Sequence, residues 1–482
     1  MVGSTVAQSK AEKLVNRDLI EGSNFGWSIA ANSSFIAVGG HDASYKVRGR
    51  RYKKCGQVVI YKQLQGKWVV GQELPNPKNE DYGWFGGMIV MNENFLVVAA
   101  SGYSNKETEN HRHREGAVYI YKLNKSIDKW QLQKKITSPA PNSSGSFGKK
   151  LKLFGDSLGV FYFAGSSYHS IITKQCISFY DLESNNKQPI ETVALKIDDR
   201  LVSILEFDFN HKLLALAKHD KLWLYYKKND SYMVCDSVSL DSLFGVERNI
   251  SSIALHKEKF YIGCHENMDD YWGYKRASNK IKDGDLVVRK TILTDAGKYD
   301  QQLIIPHNKE LMKKYGITEK FFSEHAHPYE HYASRARRKA GAGYVLYYNV
   351  AESSLNLKQT IQPADAHAED WFGHDIAVND SNMLISAMGY PDKSENHALY
   401  NSRFSGAVYY YTMGNDGIWH QQALLRSKHK KRWDKFGFSL NHWENLFVIG
   451  CRFDDVVPDP DKDTETGAGY IFIPPSNTDV SK

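Results

Sequence analysis

Phe25-Gly26-Trp27-Ser28-Ile29-Ala30, then Phe35-Ile36-Ala37-Val38-Gly39, then Gly56-Gln57-Val58-Val59-Ile60-Tyr61: this stretch decides the fold, because the chain repeats it. Each run is short, apolar and bounded by Gly or polar residues, as β-strands are. Trp68 leads a fourth run ending near Leu74. Phe85-Gly86 opens a second copy with Phe95-Leu96-Val97-Val98-Ala99, Gly116-Ala117-Val118-Tyr119-Ile120-Tyr121, and Trp130 leading to Ile136. A weaker third copy starts at Phe147-Gly148 and runs through Cys176-Ile177-Ser178-Phe179-Tyr180. Phe372-Gly373 and Phe436-Gly437 open two more, carrying Gly406-Ala407-Val408-Tyr409-Tyr410-Tyr411 and Gly467-Ala468-Gly469-Tyr470-Ile471-Phe472.

Two degenerate units lie between these. One has strands at Lys212–Ala217 and Lys221–Tyr226 around a tight turn at His219-Asp220. The other begins with Ile250–Leu255 and Phe260–Cys264 and resumes only at Gly341-Ala342-Gly343-Tyr344-Val345. Seven units of four short strands, at a spacing of roughly 40–60 residues, predict an all-β, seven-bladed β-propeller. It fills the 482 residues as a single domain, with blades at 25–74, 85–136, 147–195, 200–240, 250–361, 372–425 and 436–473. The last unit runs out at Pro474-Pro475, one strand short, and 13–19 precedes the first unit as 131–136 precedes Phe147. An N-terminal strand at 13–19 is therefore expected to complete the seventh blade and remove an open sheet edge. Residues 265–340 are expected to form a partly helical insertion in the fifth blade, with a hairpin near Leu286–Leu293 and helices at Lys309–Tyr315 and from Thr318 to about Arg338, the second broken at Pro328.

With FG-x-S-[IV]-A followed by G-A-V-Y-x-Y, the repeats resemble the FG-GAP family in its short-loop variety. The resemblance covers nearly the whole chain, strongest in the first, second, sixth and seventh units and weakest in the fourth. It implies the propeller fold. Integrin-type members carry a D-x-D-x-D-G calcium loop between the first two strands. Here that connection is Ala31-Asn32-Ser33-Ser34 or Met91-Asn92-Glu93-Asn94, too short and too poor in acids to hold calcium.

Five scattered cysteines without a CxxC pair argue against a disulfide framework, and Cys235 and Cys264 read as buried structural thiols. Met1–Ile20 has no apolar signal core, so the expectation leans towards a reducing, cytoplasmic setting unless a signal has been removed. No run reaches the ~20 apolar residues of a membrane helix. A net charge of +7 is modest for this length and disfavours nucleic acid as partner.

In such a ring the loops joining second to third strands, and those entering each blade, emerge on one face, and here nearly all length variation falls in them. His41 to Lys54 carries Lys46, Arg48, Arg50, Arg51, Lys53 and Lys54 with Tyr45 and Tyr52 interleaved, and Ser101 to Glu115 carries His111-Arg112-His113-Arg114. Arg pairs with carboxylate or phosphate through two donors, and aromatic rings stack, so this face is expected to bind an anionic partner, a glycan or a protein. Its expected binding residues are Arg48, Arg50, Arg51, Tyr52, Arg114, Tyr271, Arg335, Tyr400 and Arg403, with Tyr390 and His397 in the same loops.

The nucleophile elbow, P-loop, H-E-x-x-H and dinucleotide fingerprint are all absent, which favours a binding scaffold over an enzyme. The alternative is a lyase on a uronic-acid glycan, using His111, His113, Tyr168, His169, Tyr274 and Arg276 as acid, base and charge neutraliser. No cofactor is expected. His325, His327 and His331 have a zinc-like donor set that Pro328 disturbs. Asp459, Asp461 and Asp463 alternate like a calcium loop without its glycine, and read with Asp454 and Asp455 as an acidic patch.

Overall fold

The computed structural model describes residues 11–14, 22–104, 114–140, 146–166, 171–196, 206–218, 221–239, 250–264, 286–294, 297–305, 342–349, 354–363, 370–390, 404–427, 433–454 and 466–475. Among them are seven four-stranded antiparallel sheets and no helix. The first strands of consecutive blades pack side by side, and that of blade 7 packs on that of blade 1, so a closed ring surrounds a central channel. The protein is a seven-bladed β-propeller. The hairpin of the long interruption is present, Leu286–Thr294 against Gly297–Ile305, while both expected helices lie outside the described residues.

Packing explains why the second strands read as unbroken apolar runs. Leu96, Val98 and Ala100 join a core cluster shared with blade 1, whereas Phe95, Val97 and Ala99 join one shared with blade 3. Alternate side chains thus serve alternate neighbours, and each of the seven clusters spans two adjacent blades. A strand buried on both faces has no polar alternation to show.

The Phe-Gly signature is a backbone requirement. Asn24-Phe25-Gly26-Trp27 closes with Trp27 N–H on the Asn24 carbonyl at 3.2 Å, and Trp84–Gly87, Ser146–Lys149 and Lys435–Phe438 close the same way. The third residue of each has φ near +87°, the left-handed conformation of a type II turn, which glycine adopts without strain. Phe25 and Phe85 then anchor the turns in the core against Tyr61 and Tyr119. The glycine of Gly-Ala-Val-Tyr meets the next blade: Gly56 bridges Phe85, Gly116 bridges Phe147, Gly406 bridges Phe436 and Gly467 bridges Phe25. A Cβ at Gly56 would overlap the Phe85 backbone.

At the opposite end of the first strand an asparagine recurs. Asn32 Oδ1 accepts the amides of Ser34 and Phe35, at 3.0 and 2.7 Å, and shapes the turn. Its Nδ2 donates at 2.9 Å to the carbonyl of Asn92, the matching residue of blade 2. Asn92 donates to Gly155 of blade 3, Asn210 to Lys257 of blade 5 and Asn379 to Glu444 of blade 7. Where a calcium loop would sit in integrin-type repeats, one amide side chain both closes the turn and ties it to the next blade.

The ring closes through Glu12–Leu14, antiparallel to Ala468–Phe472 and completing blade 7. The described closing strand is shorter than the expected 13–19, and 15–21 lies outside the described residues. Asp454, read from the sequence as part of an acidic patch, is 1% exposed, 3.0 Å from Lys13 of the closing strand and bonded by the Tyr470 hydroxyl. Cys264 is buried as expected, but Cys235 is half-buried on the outermost strand of its blade, and all five thiols are free.

Candidate ligand-binding site

The Phe-Gly turn decides which side chains reach the channel mouth. In blade 1 the pairing with the second strand runs Phe25 to Gly40, then Ser28 to Gly39, so Gly26 and Trp27 bulge out of register. Blades 2 and 7 repeat the step, and blade 6 skips from Phe372 to Ile376. A bulge re-aims the side chain it carries. The residue after Phe-Gly is Trp27 in blade 1, Gly87 in blade 2, Lys149 in blade 3, His374 in blade 6 and Phe438 in blade 7. One backbone device therefore presents different chemistry from each of these five blades.

Several of these side chains meet. Trp27 lies 4.9 Å from Phe438 and 3.8 Å from the His41 ring, and His374 lies 5.7 Å from Phe438. The Arg452 guanidinium sits 4.0 Å from the Trp27 ring, 4.4 Å from Phe453 and 5.4 Å from Phe438. Lys435 stands 5.4 Å over Phe453. Aromatic faces attract such cations and hold them in place.

The cations act on one another. Burial lowers the His41 pKa to about 4; Asp42, 3.5 Å away, opposes this, while Arg452, Lys54 and Lys149 add to it. His41 is thus neutral at pH 7, and its Nδ1 is buried without a hydrogen-bond partner. Burial, then Arg452, lowers Lys435 to about 8. Lys149 is lowered by burial and then by Lys150. Asp42 is shared with Lys54 at 3.1 Å and Asn24 at 2.6 Å. Deeper in the ring the innermost strands are polar but matched: Lys150 pairs with Glu206 at 2.7 Å and Lys152 with Asp208 at 3.5 Å. At the mouth Arg452, Lys149 and Lys54 stand around His41 and Asp42, with Lys435 beside Arg452.

Of the residues expected from sequence, Arg48, Arg50, Arg51 and Tyr52 stand on a small hairpin, Tyr45–Val47 against Arg50–Tyr52. The three arginines are exposed, and Arg50 lies 5.0 Å over the Tyr52 ring. Arg114 is half-buried and packs 4.0 Å from Trp84, which steadies the entry to blade 2. Tyr390 is buried at 2%, meets Tyr409 edge to face, and belongs to the core. Tyr271, Arg335, Tyr400 and Arg403 lie outside the described residues, as do His111, His113, Tyr168, His169, Tyr274 and Arg276. So do His325, His327, His331, Asp459, Asp461 and Asp463. Among the described residues no group of three His, Cys, Asp or Glu could hold a metal, and no helix is long and apolar enough to cross a membrane.

Trp27, Phe438, Lys435 and Arg452 were not singled out by their local sequence. Aligning the repeats on Phe-Gly and reading the next column would have found the first two.

No family model matches the chain, and no curated protein matches it. Among solved structures, Sqt1 of Saccharomyces cerevisiae is similar, with a TM-score of 0.44 and 10% identity over 97% of this chain and 100% of that one. The WD40 domain of Toxoplasma gondii coronin is similar at TM-score 0.44 and 10% identity, over 98% of this chain and 86% of that one.

Proposed function

We propose that this propeller is a binding scaffold whose Phe-Gly face recognises an anionic partner at the channel mouth. The FG-GAP resemblance of its repeats belongs to the same reading, with asparagine turns in place of calcium loops. The observation that carries it is the Arg452 guanidinium set 4.0 Å over Trp27 and 5.4 Å over Phe438, with Lys54 and Lys149 in charge range of His41 and Lys435 in charge range of Arg452; burial first, and then these charges, lower the pKa of His41 and Lys435. Like charges held together in a partly desolvated place repel, and an anion relieves that repulsion.

Fluorescence anisotropy with labelled heparin and labelled polyglutamate, over a range of salt, tests this. The expected result is salt-dependent binding of at least one of the two, weakened about tenfold by the double substitution Lys149→Met, Lys435→Met; removing two charge contacts by substitution is of that order. Absence of binding at low salt, or a double variant that binds like the parent, overturns it.

A further inference from the structure

Beside the mouth, at the entry to blade 7, the chain holds bulky residues in a conformation that glycine or asparagine adopts more cheaply. The first position of the Phe-Gly turn is left-handed in all five blades that carry the motif: Asn24 at φ +52°, Ser146 at +45°, Trp84 and Trp371 at +52°, and Lys435 at +53°. Blade 1 shows that Asn satisfies the turn. Trp433 at φ +70° and Phe404 at +63° extend the pattern. Left-handed backbone at an aromatic residue is strained, and such strain persists where something else requires the side chain.

What these side chains build is a platform. Trp433 stacks on Phe404 with centroids 4.6 Å apart and planes 14° from parallel, and Phe404 is backed by Trp371 at 4.9 Å. Phe404 is 8% exposed and Trp433 is 43% exposed, so the stack is rooted in the fold and ends in a solvent-facing indole. Two backbone bonds of 2.9 Å, Lys435 N–H to the Phe404 carbonyl and Phe436 N–H to Ser405, staple the segment. The Phe453 amide donates to the Asp434 carbonyl at 3.2 Å, fixing Phe453 beneath Lys435. A rigid flat indole and a fixed ammonium group thus stand two residues apart.

We propose that Trp433 is the stacking platform of a subsite for an acidic sugar residue, whose carboxylate or sulfate ester faces Lys435. This rests on the anionic-partner reading and narrows it. A pyranose ring offers a flat apolar C–H face to an indole and an anionic substituent at a set distance from it. An acidic peptide offers charge without such a face. Charge complementarity with Lys435 calls for an anion, and the exposed indole face held on Phe404 favours the sugar over the peptide.

The test is calorimetric titration of the full chain with four probes: a tetragalacturonate, a heparin-derived tetrasaccharide, hexaglutamate and inorganic sulfate. At least one tetrasaccharide is expected to bind. Trp433→Ala should weaken it about 5–20-fold, the size of a lost aromatic contact plus its buried area, and Trp433→Phe by clearly less. Trp433→Ala should leave hexaglutamate unchanged, and whichever tetrasaccharide binds identifies the anionic group. The Phe variant keeps the ring on Phe404, so its binding separates a lost platform from a disturbed fold. If Lys435→Met weakens the tetrasaccharide while Trp433→Ala does not, the sugar platform is overturned and the anionic-partner reading stands. If hexaglutamate alone binds, or loses as much from Trp433→Ala as the sugar does, the site is a peptide site and the proposal is overturned. If Lys435→Met changes the binding of no probe, the parent reading falls with it.

Discussion

The two faces of this propeller are built on opposite plans. On the face of the first-to-second strand turns, Asn32, Asn92, Asn210 and Asn379 do one job in different blades, with the same acceptor position on each neighbour. On the Phe-Gly face the backbone is just as uniform, but the residue it presents changes from Trp27 to Gly87 to Lys149 to His374 to Phe438. Uniform backbone with uniform side chains holds a ring together. Uniform backbone with varied side chains makes an asymmetric surface on a symmetric frame, and recognition needs that asymmetry.

The sharpest way to break the comparison is at the frame of the Phe-Gly face. Gly56→Ala places a Cβ against the Phe85 backbone at φ +89°. It should destabilise by about 4 kcal/mol or more, read as a large fall in the urea midpoint, because neither backbone can yield without opening two blades. A parent-like midpoint would mean the blade contact is looser than the bridge geometry says. Asn92→Ala comes next. It removes the caps on Asn94 and Phe95 and the tie to Gly155, and should lower stability by about 1–3 kcal/mol while leaving anion affinity intact. A change in affinity there would show that the two faces are coupled.

Substitution at the varied positions should do the reverse. Lys149→Met should weaken polyanion binding about threefold to tenfold, as loss of one charge contact does, and leave the unfolding free energy within about 0.5 kcal/mol of the parent's. The smallest effect is that of pH. Lys435 carries its charge below a pKa of about 8 and loses it above, so anion affinity should fall as pH rises from 7 to 9.5. Lys435→Arg, which stays charged through that range, should flatten the decline; an equal decline in both would place the titrating group elsewhere.

What the sequence revealed follows the same division. Phe-Gly and Gly-Ala-Val-Tyr were legible because they answer backbone demands that recur in blade after blade, and demands of that kind write themselves as a period. Asn32 and Asn92 were visible as a short, acid-poor connection, but their role was not, because the acceptor is a backbone carbonyl some 60 residues away. The mouth was least legible. Trp27 meets Phe438 and Arg452, and His41 feels Arg452, only because blade 7 returns to blade 1, so residues about 400 positions apart become neighbours. The column in which they stand varies between copies, and in a repeat alignment variation reads as noise. Of the basic residues expected to bind, Arg114 packs on Trp84, and Arg48, Arg50 and Arg51 stand on a small hairpin.

The pairing of Glu12–Leu14 with Ala468–Phe472, and of Lys13 with Asp454, carries a consequence for how the molecule comes into being. A ribosome adds about 5–20 residues per second, so the first-made strand waits on the order of half a minute or longer for its partner to emerge. Six blades can assemble in sequence during that interval, each on the one before, but none of them can shut the ring. Until then the molecule is an open arc with unpaired edges, the state in which a partly made chain is most prone to misassembly. Lys13 and Asp454 then act less as one more ion pair than as a completion signal, joined only when synthesis of the last blade is done.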